Sequence, residues 1–128
     1  MTQRRRGRRE SQRKDAMRSA GQCEIVWEFR VRRGRAREFE RRYGPRGDWA
    51  RFFRRDPAYR GTDLLRADAS GRRYVTVDRW SSRAACDAFR ARFEVEYAAI
   101  DRRCERLTEE EAEIWRFRPI PGRVPTAR

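Results

Sequence analysis

Histidine is absent from the 128-residue chain, and with it the usual general base near neutral pH, the usual haem ligand and the commonest transition-metal ligand. A Ser-His-Asp or Cys-His site is therefore impossible within this chain. Cysteine is scarce. Cys23, Cys86 and Cys104 are odd in number and form no CxxC pair, which argues against a zinc knuckle or a closed disulfide framework and for free thiols in a reducing cytoplasm. No apolar run approaches the roughly 20 residues that cross a bilayer, and no apolar h-region follows the basic N-terminus, so neither a membrane span nor a secretory signal is expected. Lysine is nearly missing too: only Lys14 accompanies the arginines in a total of 34 basic against 20 acidic residues, a net charge of +14. Such an excess of arginine reads either as a phosphate-binding surface, because guanidinium groups contact phosphate bidentately, or as compositional bias that concerns solubility and non-specific binding alone.

With 42% charged residues and a mean hydropathy of -1.16, the chain first raises the question whether it folds. Its 4 Trp, 4 Tyr and 7 Phe, set mostly within patterned segments, argue for one folded domain. That domain is expected over residues 22–118, between a disordered Arg-rich tail at 1–21 and a disordered tail at 119–128. The N-terminal tail is the only segment through which nucleic-acid binding is expected, and Met17 within it offers an alternative start.

Ile25, Trp27, Phe29 and Val31 alternate with mostly charged neighbours from Cys23 to Val31, and period two predicts a strand. Ala36, Phe39 and Tyr43 then recur at helical spacing until Gly44-Pro45 stops the helix. Asp48 is placed to cap a short helix carrying Trp49, Phe52 and Phe53. Tyr59 to Arg66 and Arg73 to Trp80 read as the two arms of a hairpin. Ser81 or Ser82 is expected to cap one long helix whose stripe is Ala85, Phe89, Phe93, Tyr97, Ile100, Cys104 and Leu107. Cys86 and Cys104 would share one face of it, about 27 Å apart. Thr108 with Glu111 reads as a capping box for a further turn, Glu109 to Glu111 as a solvated helix start, and Ile114, Trp115 and Phe117 as a last strand. The order is the βαββαβ of an α+β, ferredoxin-like antiparallel sheet with helices on one face. Aromatic residues on both strand faces would leave the second face in need of cover, so a homodimer packed sheet against sheet is expected.

The segments IVWEFRVRRG (Ile25 to Gly34), GDWARFF (Gly47 to Phe53), YRGTDLL (Tyr59 to Leu65) and YVTVDRWSSRAACDAF (Tyr74 to Phe89) resemble the antibiotic biosynthesis monooxygenase-like family of the dimeric α+β barrel superfamily. The similarity runs from Cys23 to Phe117, and its most specific element is the strand ending in Trp80-Ser81-Ser82. The resemblance implies a pocket between sheet and helices and, as one activity, oxidation of an aromatic or quinone-like small molecule without metal, flavin or haem. A deprotonated phenol or quinol is electron-rich enough to reduce dioxygen itself, so the protein need only bind, deprotonate and exclude water. Haem-degrading relatives carry an Asn where this chain has Trp27, a helical Trp where it has Phe89 and a His near its Ala99, so haem degradation is not implied.

Within this frame Trp27, Tyr74, Trp80 and Phe89 are candidate walls for a planar substrate, with Tyr97 and Trp49 as further binding residues. The other reading of each is ordinary core. Asp78 shares a strand face with Tyr74, Thr76 and Trp80 and is the candidate catalytic base if that face lines the pocket; otherwise it pairs with an arginine. Arg79 and Arg30 are of the right chemistry to stabilise a phenolate, but the abundance of arginine singles out neither. Binding without catalysis, as a stress-response module of the same fold, is the alternative function, and nucleic-acid association through the tail is a third.

Overall fold

The computed structural model describes residues 22–67, 71–120 and 122. The expected tail over 1–21, most of the C-terminal one and the hairpin tip at 68–70 lie outside the described residues. Strand β1 (Cys23–Val31) is followed by α1 (Ala36–Tyr43), α2 (Asp48–Phe53), β2 (Tyr59–Arg66) and β3 (Arg73–Trp80). Then come α3 (Arg83–Arg92), α4 (Glu94–Cys104), a 3-10 turn at Glu105–Leu107 and β4 (Thr108–Phe117). The strands form one antiparallel sheet in the order β2-β3-β1-β4, the ferredoxin-like α+β arrangement. No helix among the described residues is long and apolar enough to cross a membrane.

The central strands are the two with the strictest alternation. Cys23, Ile25, Phe29 and Val31 of β1 and Tyr74, Thr76 and Trp80 of β3 are buried, and Ile25 stands opposite Asp78, Trp27 opposite Thr76. Directly paired residues share a face, here the one covered by helices. Two aromatic clusters fill the space between. Phe39 lies 4.2 Å from Tyr43, 5.2 Å from Phe29 and 4.9 Å from Tyr74 between ring centroids. Trp80 lies 5.5 Å from Phe53, 5.5 Å from Tyr59 and 5.3 Å from Phe89. Each buried ring contributes about 1.5–3 kcal/mol, which is how so polar a chain holds a core.

Several local expectations are overridden by packing. Ser82 does cap a helix, its Oγ accepting from the Ala85 amide at 3.0 Å, but Phe93 leaves helical geometry (φ -111°, ψ 33°) and divides the expected long helix into α3 and α4. The break seats the Phe93 ring 4.8 Å from Phe89 and 6.1 Å from Phe52. Gly47, not Asp48, is the N-cap of α2; a Cβ there would come within 2.3 Å of the Arg42 carbonyl oxygen. The Asp48 carboxylate instead pairs with Arg42 at 2.7 Å and Arg51 at 2.9 Å. Thr108 and Glu111 open β4 rather than a helical turn, because pairing to Val31 and Phe29 of β1 satisfies more backbone groups than one turn would.

The uncovered face differs from the expectation as well. β1, β2 and β3 present Val26, Leu65, Val75 and Val77 there among Glu24, Glu28, Asp63, Arg73 and Arg79, as the register dictates. The aromatic residues of β1, β2 and β3 all point to the helices, and at the end of β4 Phe117, opposite Glu24, adds a ring to the open side.

Regular pairing is interrupted at the start of β2. The β2–β3 register shifts between Tyr59 and Gly61, and Gly61 has φ +127°, a conformation that side chains with a Cβ avoid. The bulge brings Tyr59 and Thr62, three residues apart, to the same buried face, where a regular strand would place them on opposite faces. A Cβ at Gly61 would meet nothing within 4 Å, so Gly61→Ala is expected to cost about 1–3 kcal/mol through backbone strain alone, measured by urea unfolding. A neutral substitution would show that the bulge is not held in this form.

Candidate active site

A cavity of about 50 Å³ lies between the covered sheet face and the helices. β1 contributes Trp27 and Phe29, and β3 contributes Thr76 and Asp78. Tyr43 from the end of α1, Trp49 and Phe53 from α2, Tyr97 and Asp101 from α4 and Glu111 from β4 close it. Of the residues proposed from sequence, Asp78, Trp27, Trp49 and Tyr97 meet around this cavity. Tyr74, Trp80 and Phe89 do not line it. Tyr74 and Trp80 stand six residues apart on β3, about 20 Å, and belong to the clusters on either side. Tyr74 is 1% exposed and its hydroxyl donates to Glu40; Trp80 and Phe89 are each 1% exposed in the second cluster.

Asp78 is the one cavity carboxyl on a central strand. Thr62 donates to its Oδ1 at 2.6 Å, and the Tyr59 hydroxyl hydrogen-bonds Thr62 Oγ1. Since Thr62 spends its proton on Asp78, Tyr59 is the donor to Thr62, and the three form a directed relay made possible by the bulge. Among the described residues Asp78 makes no ion pair, and its Oδ2 accepts no hydrogen bond. Arg79, its sequence neighbour, points to the other side of the sheet and pairs with Asp63 at 2.7 Å and Glu24 at 3.4 Å. Burial pushes the Asp78 carboxyl up to about 6, opposed by the Thr62 hydrogen bond and by Arg79. The residue keeps some solvent access, yet it is enclosed closely enough that desolvation prevails.

The tyrosines stay protonated. Burial pushes Tyr97 up to about 12, with Asp101 and Asp78 adding to the rise against Arg90, and burial likewise raises Tyr43 and Tyr59. They serve as donors, not bases. The indole Nε1 of Trp49 is buried with no hydrogen-bond partner. The Tyr43 hydroxyl and Cys104 thiol adjoin it, but neither accepts a well-formed bond. Glu111 at the rim is raised by partial burial first and by Asp101 second. Among the described residues no group of three His, Cys, Asp or Glu side chains is placed to hold a metal ion.

Thr62 escaped the sequence reading because strict alternation from Tyr59 assigns it to the open face. A glycine inside a strand is the signal that marks such a bulge. Glu111 escaped because a run of three glutamates resembles a solvated helix start, and only its pairing with Phe29 brings it to the cavity.

Among the curated proteins, none matches the sequence. Solved structures share its fold. The cofactor-independent oxygenase SnoaB from Streptomyces nogalater is similar at 24% identity over 85% of this chain and 100% of that one, with a TM-score of 0.60. A Bordetella bronchiseptica protein, named for the antibiotic biosynthesis monooxygenases, is similar at 18% identity over 78% of this chain and 98% of its own, with a TM-score of 0.62. A conserved protein from Methanosarcina mazei is similar at 11% identity over 79% and 95%, with a TM-score of 0.56. An asparagine-to-alanine variant of SnoaB also matches; the present chain has no asparagine at all. The family model for antibiotic biosynthesis monooxygenase matches residues 24–99, more than half of the sequence, and the chain belongs to that family.

Proposed function

We propose that the protein is a cofactor-independent monooxygenase acting on an electron-rich aromatic or quinone-like small molecule, with Asp78 as general base. The observation that carries this reading is a desolvated carboxyl, one oxygen held by Thr62 and the other free, facing an aromatic cavity. Oδ2 takes the acidic proton of a phenol or of the enol of a ring ketone. The resulting anion passes an electron to dioxygen, the radical pair recombines to a peroxide at carbon, and loss of water leaves a carbonyl. In sum a ring methylene and dioxygen give a ring carbonyl and water, with one oxygen atom in each product. Trp27, Trp49 and Tyr97 hold the ring plane, and exclusion of water protects the intermediates.

A cavity of about 50 Å³ has room for dioxygen or water but not for a polycyclic substrate. Trp27 and Tyr97 are only partly buried, unlike the rings around them, and in this reading they swing aside to admit it. A second copy of the chain covers the open face at Val26, Leu65, Val75 and Val77. Sedimentation is expected to give the dimer mass, and Val77→Asp is expected to give the monomer.

Oxygen uptake with planar phenols and anthrones tests the reaction, and Asp78→Asn is expected to lower kcat by about 10²–10⁴. In the native protein kcat/KM should rise with pH through about 6, and the variant should lack that limb. Thermal stabilisation by the same compounds without oxygen uptake would instead mark a binding module. The same variant also reports on stability. A carboxyl raised above its unfolded value stabilises the fold below about pH 4 and loses that contribution as pH climbs through 6, up to about 3 kcal/mol. Asp78→Asn is therefore expected to be more stable than the native chain at pH 8 and to lose that advantage at pH 4, by calorimetry at both values. Lower stability of the variant at pH 8 would point to a charge partner for Asp78 instead.

A further inference from the structure

The chain carries 34 basic residues, and among the described residues none of them lines the cavity, whereas Asp78, Asp101 and Glu111 all do. Arg79 is committed to Asp63 and Glu24 across the sheet, and Arg90 is held over the Tyr97 ring, 4.6 Å from its centroid. Asp101 makes no hydrogen bond or ion pair among the described residues, and Glu111 accepts only from Thr108, at 3.4 Å. A chain of net charge +14 thus builds an acceptor-rich, negative cavity. Among the donors of the lining, the Nε1 of Trp49, a residue 8% exposed, has no hydrogen-bond partner among the described residues. It is a buried polar group left for a ligand oxygen to satisfy.

Deprotonating a neutral phenol here would place an anion among carboxylates with no cation in the lining among the described residues, a costly arrangement at low effective dielectric. A substrate that brings its own positive charge removes the conflict. Its ammonium group would meet Asp101 and Glu111 at the rim and the faces of Trp27 and Tyr97, while its ring oxygen reached Asp78 and the Trp49 N–H. We infer that the cavity selects aromatic substrates bearing a protonated amine together with a phenolic or carbonyl oxygen, and rejects those bearing a carboxylate. This selectivity rests on the cavity being the substrate site of the proposed oxygenase; the raised carboxyls of Asp78 and Glu111 are what a cation would lower on binding.

Calorimetric titration of the full chain with tyramine, tyrosol and 4-hydroxyphenylacetate tests it, since the three share a phenol ring and differ in ending in an ammonium, a hydroxyl and a carboxylate. Tyramine is expected to bind at least about tenfold tighter than tyrosol and the acid most weakly. The double variant Asp101→Asn, Glu111→Gln, changed only at the rim, is expected to lose most of the preference for tyramine, read as the ratio of its affinity to that of tyrosol. Equal affinities in the native chain, preference for the acid, or no binding of any of the three overturns the inference. Binding is read without turnover, so a preference for tyramine with no oxygen uptake upholds the cation selectivity while removing the oxygenase.

Discussion

Asp78 sits on the covered face of a central strand, and keeping its carboxylate from water is the cost around which the rest of the site is arranged. A charge in that position is tolerable only if it is hydrogen-bonded, paired or neutralised. Pairing is denied, because Arg79 is turned through the sheet by the alternation of β3 and is held there by Asp63 and Glu24. One hydrogen bond is supplied, from Thr62. The remainder of the cost is left in place as a raised proton affinity, on which the proposed role of Asp78 as base in a histidine-free chain rests.

The arginine excess takes on a different meaning once the sidedness of the sheet is known. Arg42 with Glu38 and Asp48, Arg106 with Glu38, Arg72 with Glu109 and Arg116 with Asp87 form a shell of ion pairs outside the helices and along the sheet edges. Each such pair contributes little to stability, about 0–1 kcal/mol. What the shell achieves is separation, with guanidinium groups outside and acids on the cavity wall. Stability comes from the two aromatic clusters flanking the cavity. That is also why Tyr74, Trp80 and Phe89 hold the core on either side of the site instead of lining it.

Where one force acted alone, the elements were legible in the sequence. Cys23 to Val31 and Arg73 to Trp80 alternate because each has one buried and one open face, and both strands have the bounds that pattern implies. Phe39 and Tyr43 mark α1 for the same reason at a different period. Where two forces competed, the sequence was ambiguous. Thr108 and Glu111 satisfy the local pattern of a helix cap, yet pairing with β1 prevails; an unbroken apolar stripe predicts one helix, yet the fit of Phe93 between Phe52 and Phe89 divides it. The site divides along the same line. Asp78 and Trp27 were readable from strand phase, while Asp101 and Glu111 reach the cavity through tertiary placement that no local pattern encodes.

Gly61 links these levels. A strand that paired regularly from Tyr59 would send Thr62 to the open face and leave the Asp78 carboxyl without its hydrogen-bond donor, raising its proton affinity further and freeing its orientation. Inserting the bulge weakens the ladder next to a buried charge, which no criterion of strand stability favours. Such departures from local regularity concentrate at sites whose chemistry needs a particular side chain aimed in a particular direction. Here the strain in one backbone torsion is offset by the adjoining Phe53, Tyr59 and Trp80 rings, which clamp the bulged strand from the helix side. The aromatic cluster beside the cavity therefore has a second role besides burial: it holds in place the irregular backbone on which the relay to Asp78 depends.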